Sequence, residues 1–146
     1  MAVFKLDHIE DVKYRINKEY NYDIFNIENI ITNLKNSMSI SNNKLEFQMS
    51  VTFVDENSTE LLFQSLKYIF IGDFKDCLLL EDKKNDEKKK KLKSLMINIT
   101  NIALGGLRGV VFAKTVNHPI FSKFPIPLIG ADNIEESINR MIEGKK

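Results

Sequence analysis

The residues able to carry chemistry are few and scattered. The two histidines, His8 and His118, lie far apart in the chain. Neither falls in a metal-ligand spacing such as a helical His pair around a glutamate. Both read as structural or surface side chains. Cys77 is the only cysteine, so it can neither close an intrachain disulfide nor supply a thiolate cage for a metal. Leu78, Leu79 and Leu80 follow it, which fits a buried, unreactive thiol. Gly105-Gly106-Leu107-Arg108-Gly109 has the glycine content of a phosphate-binding loop. It lacks the Gly-Lys-Ser/Thr ending and the preceding strand that such a loop needs. The acidic pairs Glu81/Asp82 and Glu135/Glu136 sit beside turns or helix starts, where capping and solvation account for them. No catalytic constellation emerges, and no metal or cofactor is expected.

Charge singles out one segment. Lys83 to Lys93 holds seven lysines against Asp86 and Glu87, a local charge of +5 in a chain whose net charge is +1. Phosphate neutralisation is one use for such a run. No aromatic residue interleaves it, however, and it opens a helical pattern. It therefore reads as a solvated helix face, or as a dock for an acidic partner, and nucleic acid is not expected as a partner. Asn57-Ser58-Thr59 and Asn98-Ile99-Thr100 match the glycosylation acceptor pattern. Met1 to Asp11 lacks the apolar core of a secretion signal, so these matches carry little weight. The single cysteine fits a reducing, cytoplasmic compartment. No uncharged apolar stretch reaches the roughly 18 residues of a membrane span.

The elements come next. With 146 residues, 43% hydrophobic and 28% charged, one domain with a real core is expected. Val3 to Ile16 alternates as a strand, with Phe4, Leu6 and His8 on one face, continued by Val12, Tyr14 and Ile16, and a bulge at Ile9. Asn21 to Asn43 is ambiguous between an irregular strand and a short helix. Ile27, Ile30, Ile31 and Leu34 have helical spacing, but the many Asn and β-branched residues disfavour a helix. Leu45, Phe47, Met49, Val51 and Phe53 alternate with Glu46, Gln48, Ser50 and Thr52, the pattern of a half-buried strand. Asp55 to Ser58 supplies a turn. Leu61 to Ile71 returns as a strand apolar on both faces, with Leu62, Leu66, Tyr68 and Phe70 on one and Leu61, Phe63, Ile69 and Ile71 on the other.

Asp82 to Thr115 reads as a long helix. Leu92, Leu95, Met96, Ile99, Ile102, Ala103, Leu107, Val110, Val111 and Lys114 form its stripe. Gly105-Gly106 inside it predicts a kink or a close packing contact. Asn117-His118-Pro119 ends it. Phe121 to Ile129 is expected to be extended, and Asp132 to Ile142 a short terminal helix with Asp132 as cap and Glu135 at the capping-box position. The fold class is α+β: strands first, then a long helix, in a single domain spanning 1–146. One helix can cover only one face of the hairpin, so the other is expected to meet a subunit or a client. Ten Phe, four Tyr and five Met supply adaptable apolar surface.

The order of elements resembles the SecB family of export chaperones. Leu45 to Phe53 with Leu61-Leu62-Phe63-Gln64 is similar to that family's long central strands. Thr100 to Gly109 is similar to its helix, including Arg108. Phe124-Pro125-Ile126-Pro127 followed by Asn133-Ile134 is similar to its connector into the last helix. The resemblance implies a four-stranded antiparallel sheet packed by a long helix and assembled into homodimers or homotetramers. It implies ATP-independent holding of unfolded polypeptides in apolar grooves, with delivery to a SecA-type motor or protection of an antitoxin. Two departures stand against motor coupling. The chain is not strongly acidic, and no zinc-binding extension follows the last helix before Lys146. Groove lining is assigned to Phe47, Met49, Val51, Phe53, Phe63, Leu95 and Ile99, several of which are expected to be core. The alternative is an oligomeric structural or adaptor protein on the same fold, its groove filled by its own residues.

Overall fold

The computed structural model describes residues 4–22, 27–74 and 86–123. Four strands, β1 (Phe4–Ile16), β2 (Ile31–Ile40), β3 (Lys44–Val54) and β4 (Glu60–Gly72), form one antiparallel sheet in the order β1-β4-β3-β2. One helix, α1 (Asp86–Lys114), follows them. The expected α+β architecture of a four-stranded antiparallel sheet and a long helix is the observed one. Cys77, the start of the basic run and the terminal-helix segment Asp132–Ile142 lie outside the described residues.

β3 and β4 pair as the alternation predicts, with Phe47 opposite Tyr68 and Met49 opposite Leu66. Their shared face meets α1. Leu45, Phe47, Met49, Val51 and Phe53 from β3, Leu62, Leu66, Tyr68 and Phe70 from β4, and Leu92, Leu95, Met96, Ile99, Ala103, Leu107 and Val111 from α1 form one buried core. Each large side chain buried there contributes about 1.5–3 kcal/mol. α1 runs antiparallel to β4: the Tyr68 hydroxyl donates to Ala103 O at 2.7 Å, and Lys114 reaches Gln64 Oε1 at 2.9 Å further along.

The turn joining β3 to β4 is built around Asp55. Its Oδ1 accepts the amides of Asn57 at 2.9 Å and Thr59 at 2.8 Å, and its Oδ2 accepts the Tyr20 hydroxyl at 3.0 Å. The Thr59 amide foremost holds this carboxyl below its ordinary pKa. Ser58 takes the left-handed conformation, φ 65°, that such a turn requires.

One ambiguity resolves and three expectations change. Within its described residues, the ambiguous Asn21–Asn43 stretch holds a turn at Ile27–Asn29 and then a regular strand, β2. The helical spacing of its isoleucines yields to period-2 pairing with β3, and β-branched residues suit that pleat. In β1 the register slips at Asp7 and Val12 rather than at Ile9. Each slip reverses the alternation, so His8 turns to the face away from the helix, opposite Ile69, while Ile9 joins Leu6 on the helix side. On α1, Ile102 is 42% exposed rather than part of the core stripe. Phe121–Lys123 forms a turn where extended chain was expected. His118 causes it: its Nδ1 accepts the amides of Ile120 and Phe121, each at 3.1 Å, which folds the chain just past Pro119.

Candidate functional site

Six of the seven residues assigned to a groove belong to the closed interior. Phe47, Val51, Phe53 and Ile99 are fully buried, and Met49 and Leu95 nearly so. α1 covers the apolar face of the hairpin along its length, so these side chains line no open groove in this protomer. The seventh, Phe63, lies on the opposite face, where the Arg15 guanidinium sits 4.3 Å from its ring centroid.

That opposite face is less apolar than the alternation of β4 implies. Glu46, Gln48, Ser50 and Thr52 stand between its apolar residues. Gln48 Nε2 donates to Ser65 Oγ at 2.9 Å, Lys44 pairs with Glu46 at 3.0 Å, and Arg15 pairs with Glu60 at 2.7 Å. Ile69 is only 3% exposed, and Ile71 is the one large apolar side chain of β4 left open. Long polar side chains from neighbouring strands thus screen the face that was expected to need a subunit or client.

Exposed large apolar side chains lie on β1 (Leu6, Ile9 and Val12), at Ile31 on β2 and Ile71 on β4, and on the outer side of α1. Ile102, Gly105, Gly109, Phe112, Ala113 and Val116 are exposed along one ledge, with Phe112 at 61% and Val116 at 55%. No charged residue belongs to that set. A methyl group built on Gly105 or Gly109 would meet nothing. Leu92–Lys114 is, by length and composition, apolar enough to cross a membrane; its inner side is the core described above.

Two side-chain clusters brace the same end of this arrangement, where the C-terminus of α1 meets the β3–β4 turn, and the pattern of the chain announced neither. Gln64 is fully buried on β4. Its Nε2 donates to Asp11 Oδ1 at 2.8 Å, and its Oε1 accepts from Lys114 at 2.9 Å. Lys114 also pairs with Asp11 and lies 4.5 Å from the Tyr14 ring centroid. The Lys114 bond, with that from Gln64, lowers the Asp11 pKa. A glutamine amid an apolar strand and a lysine on an apolar helix stripe were the available signals. At the other cluster, His118 packs edge-on to Tyr22 at 4.7 Å and lies beside Phe121 at 4.8 Å. Phe121 in turn stacks on Phe53 at 5.6 Å. Burial raises the Tyr22 pKa to about 12 and lowers that of His118.

His8 is exposed, with Nδ1 2.6 Å from Asp7 and Nε2 3.3 Å from Glu10. The Asp7 contact foremost raises its pKa. Among the described residues no group of three His, Cys, Asp or Glu side chains is placed to hold a metal ion.

No family model matches the chain, and no curated protein matches it. Among solved structures, a protein of unknown function from Streptococcus agalactiae is similar over 89% of this chain and 99% of its own, at 9% identity and a TM-score of 0.35. A likeness at that level bears on neither activity nor partners.

Proposed function

We propose that this protein holds unfolded polypeptide on exposed apolar surface, without ATP, as a SecB-like chaperone would. The observation that carries this reading is the uncharged ledge that runs from Ile102 on α1 to Val116 just past its end and includes Phe112. Solvent-facing helix surface ordinarily carries charged side chains. Here about four turns of helix present apolar and small residues instead, a surface suited to transient apolar contact. Each client Phe or Leu that buries itself there gains about 1.5–3 kcal/mol, enough for binding that can still be released. Preproteins or an antitoxin are the client classes that the resemblance supplies. The test is suppression of aggregation: stoichiometric protein should delay light scattering by a chemically unfolded client, and Phe112→Ser should weaken the delay. Absence of any delay across several clients removes the proposal.

A second reading has one observation in its favour. Gly105 and Gly109 are four residues apart, exposed and open, a spacing that lets another helix approach closely. An oligomeric adaptor whose ledge is covered by a second copy would use them so. Light scattering that gives a stable dimer, together with no effect on client aggregation, favours this alternative.

A further inference from the structure

The two edges of the sheet are built differently. β1 is guarded: its register slips twice, and six of its thirteen residues are charged. Slips and charges of this kind keep an edge from pairing with another chain. β2 has neither protection. It pairs with β3 in unbroken register from Ile31 to Ile40 and carries one charge, Lys35, in ten residues. It contains no Pro and no Gly. Among the described residues no strand lies beyond it.

Among the described residues the outer backbone groups of β2 meet no partner, and their direction follows from the hairpin. The Ser41 amide donates to Lys44 O at 2.8 Å across the β2–β3 turn. With no slip in register, the odd-numbered residues of β2 bond β3. Thr32, Leu34, Asn36, Met38 and Ile40 therefore direct their amides and carbonyls outward. The same five side chains are half-buried on the helix side of the sheet, where Leu34, Met38 and Ile40 fringe the core.

We infer that the open edge of β2 is a strand-addition site for an extended polypeptide whose alternate side chains are apolar. A row of unpaired amides recognises another extended backbone. The inward side chains of the added strand would complete the cover over Leu34, Met38 and Ile40. Its outward side chains would meet Asn33, Lys35, Ser37 and Ser39, which suits polar or acidic residues. A second copy of β2 fits less well. Two-fold pairing keeps like faces together only with the axis on a residue, and near-full overlap then sets Lys35 against Lys35 or Asn36 against Asn36. The partner class rests on the polypeptide-holding reading above; the location rests on β2 alone.

The experiment uses the full chain and reduced, carboxymethylated α-lactalbumin as a permanently unfolded probe. Asn36→Pro removes an outward amide while sparing the bonds to β3, a position where edge strands accept proline. Asn36→Lys places a guarding charge there. Both variants should bind the probe about tenfold more weakly or worse, with melting temperature and solution mass unchanged. In the wild-type chain, bound probe should slow hydrogen exchange at Leu34, Asn36 and Met38, leaving Asn33, Lys35 and Ser37 as they were. The exchange pattern decides the matter if either variant unfolds. Equal probe binding by folded variants, or no added protection at those three amides, overturns the edge site and leaves the holding function standing. A wild-type dimer that Asn36→Pro dissociates overturns it in favour of a second copy. A wild-type chain that binds no probe overturns both.

Discussion

Tyr68 occupies the space that a side chain at Gly106 would need. The ring is fully buried, its hydroxyl is tied to Ala103 O at 2.7 Å, and a methyl group on Gly106 would overlap that hydroxyl. Neighbouring Gly105 faces open space. Gly106→Ala should therefore destabilise the fold, because overpacking of about 1–3 kcal/mol outweighs a helix-propensity gain of about 1 kcal/mol. Gly105→Ala should stabilise it by about 0.5–1 kcal/mol. Denaturant unfolding of the two variants should give opposite signs. Tyr68→Phe, which removes the hydroxyl, should recover part of the Gly106→Ala loss in the double variant, a coupling expected only of residues in contact.

The glycine pair shows what the sequence could and could not convey. A close contact at Gly105-Gly106 was legible, because two glycines in a helix need a reason; which glycine makes it depends on where Tyr68 points. β3 and β4 were legible because alternation survives wherever one face is covered. β2 was obscured because Asn33 points outward and Asn36 inward, so polarity does not mark its faces, and its pairing is with a strand beyond a turn. The placement of Phe47, Met49, Val51 and Phe53 was legible only in part, as residues of which several were expected to be core. The same alternation serves a packed face and an open groove, and only the path of α1 over the hairpin decides between them. Nor does any local pattern bring Asp11, Gln64 and Lys114 together, since they come from three elements far apart in the chain.

That trio gives the second prediction. Gln64→Leu should cost about 1–3 kcal/mol, because Lys114 and Asp11 lose a buried partner that satisfied both. Lys114→Met should act on Asp11 directly. The ammonium foremost keeps that carboxyl below its ordinary pKa, so its removal should return the Asp11 titration towards the usual carboxylate range. Carboxyl-resolved NMR titration measures the shift. An unmoved Asp11 would show that Gln64 alone sustains it.

The third prediction concerns pH. His118 Nδ1 is an acceptor for two amides and its ring is packed among aromatics, so the folded chain favours the neutral imidazole, and burial lowers its pKa. The unfolded chain takes up the proton near its ordinary value, about 6.5. This contribution to stability is therefore present above that value and is lost as pH falls through the lower folded value. His8 has the opposite sign, because Asp7 and Glu10 raise its folded pKa: its contribution is present below about 6.5 and lost as pH rises through the folded value. His118→Asn keeps a side-chain acceptor for the turn but removes the titration. Denaturant midpoints measured between about pH 7 and pH 5 should fall less steeply for this variant than for the wild type, and an identical slope would assign the acid sensitivity to other groups.

The last prediction separates interior from surface among the phenylalanines. Phe53 is fully buried, opposite Leu62 on β4 and stacked on Phe121. Phe53→Ala should cost about 3–5 kcal/mol through lost burial and the cavity left behind. Phe112 is 61% exposed on the outer side of α1. Phe112→Ser should leave the unfolding midpoint within about 0.5 kcal/mol of wild type, as is usual for surface substitutions. If the ledge holds polypeptide, the same variant should lose much of the delay in client aggregation, whereas a mildly destabilised core variant such as Val51→Ala should keep it below its melting temperature. The converse pattern, with client holding lost on mild core substitution and untouched at Phe112, would mean that the sheet–helix interior opens to receive the client. The groove lined by Phe47, Met49 and Ile99 would then exist only in that opened form.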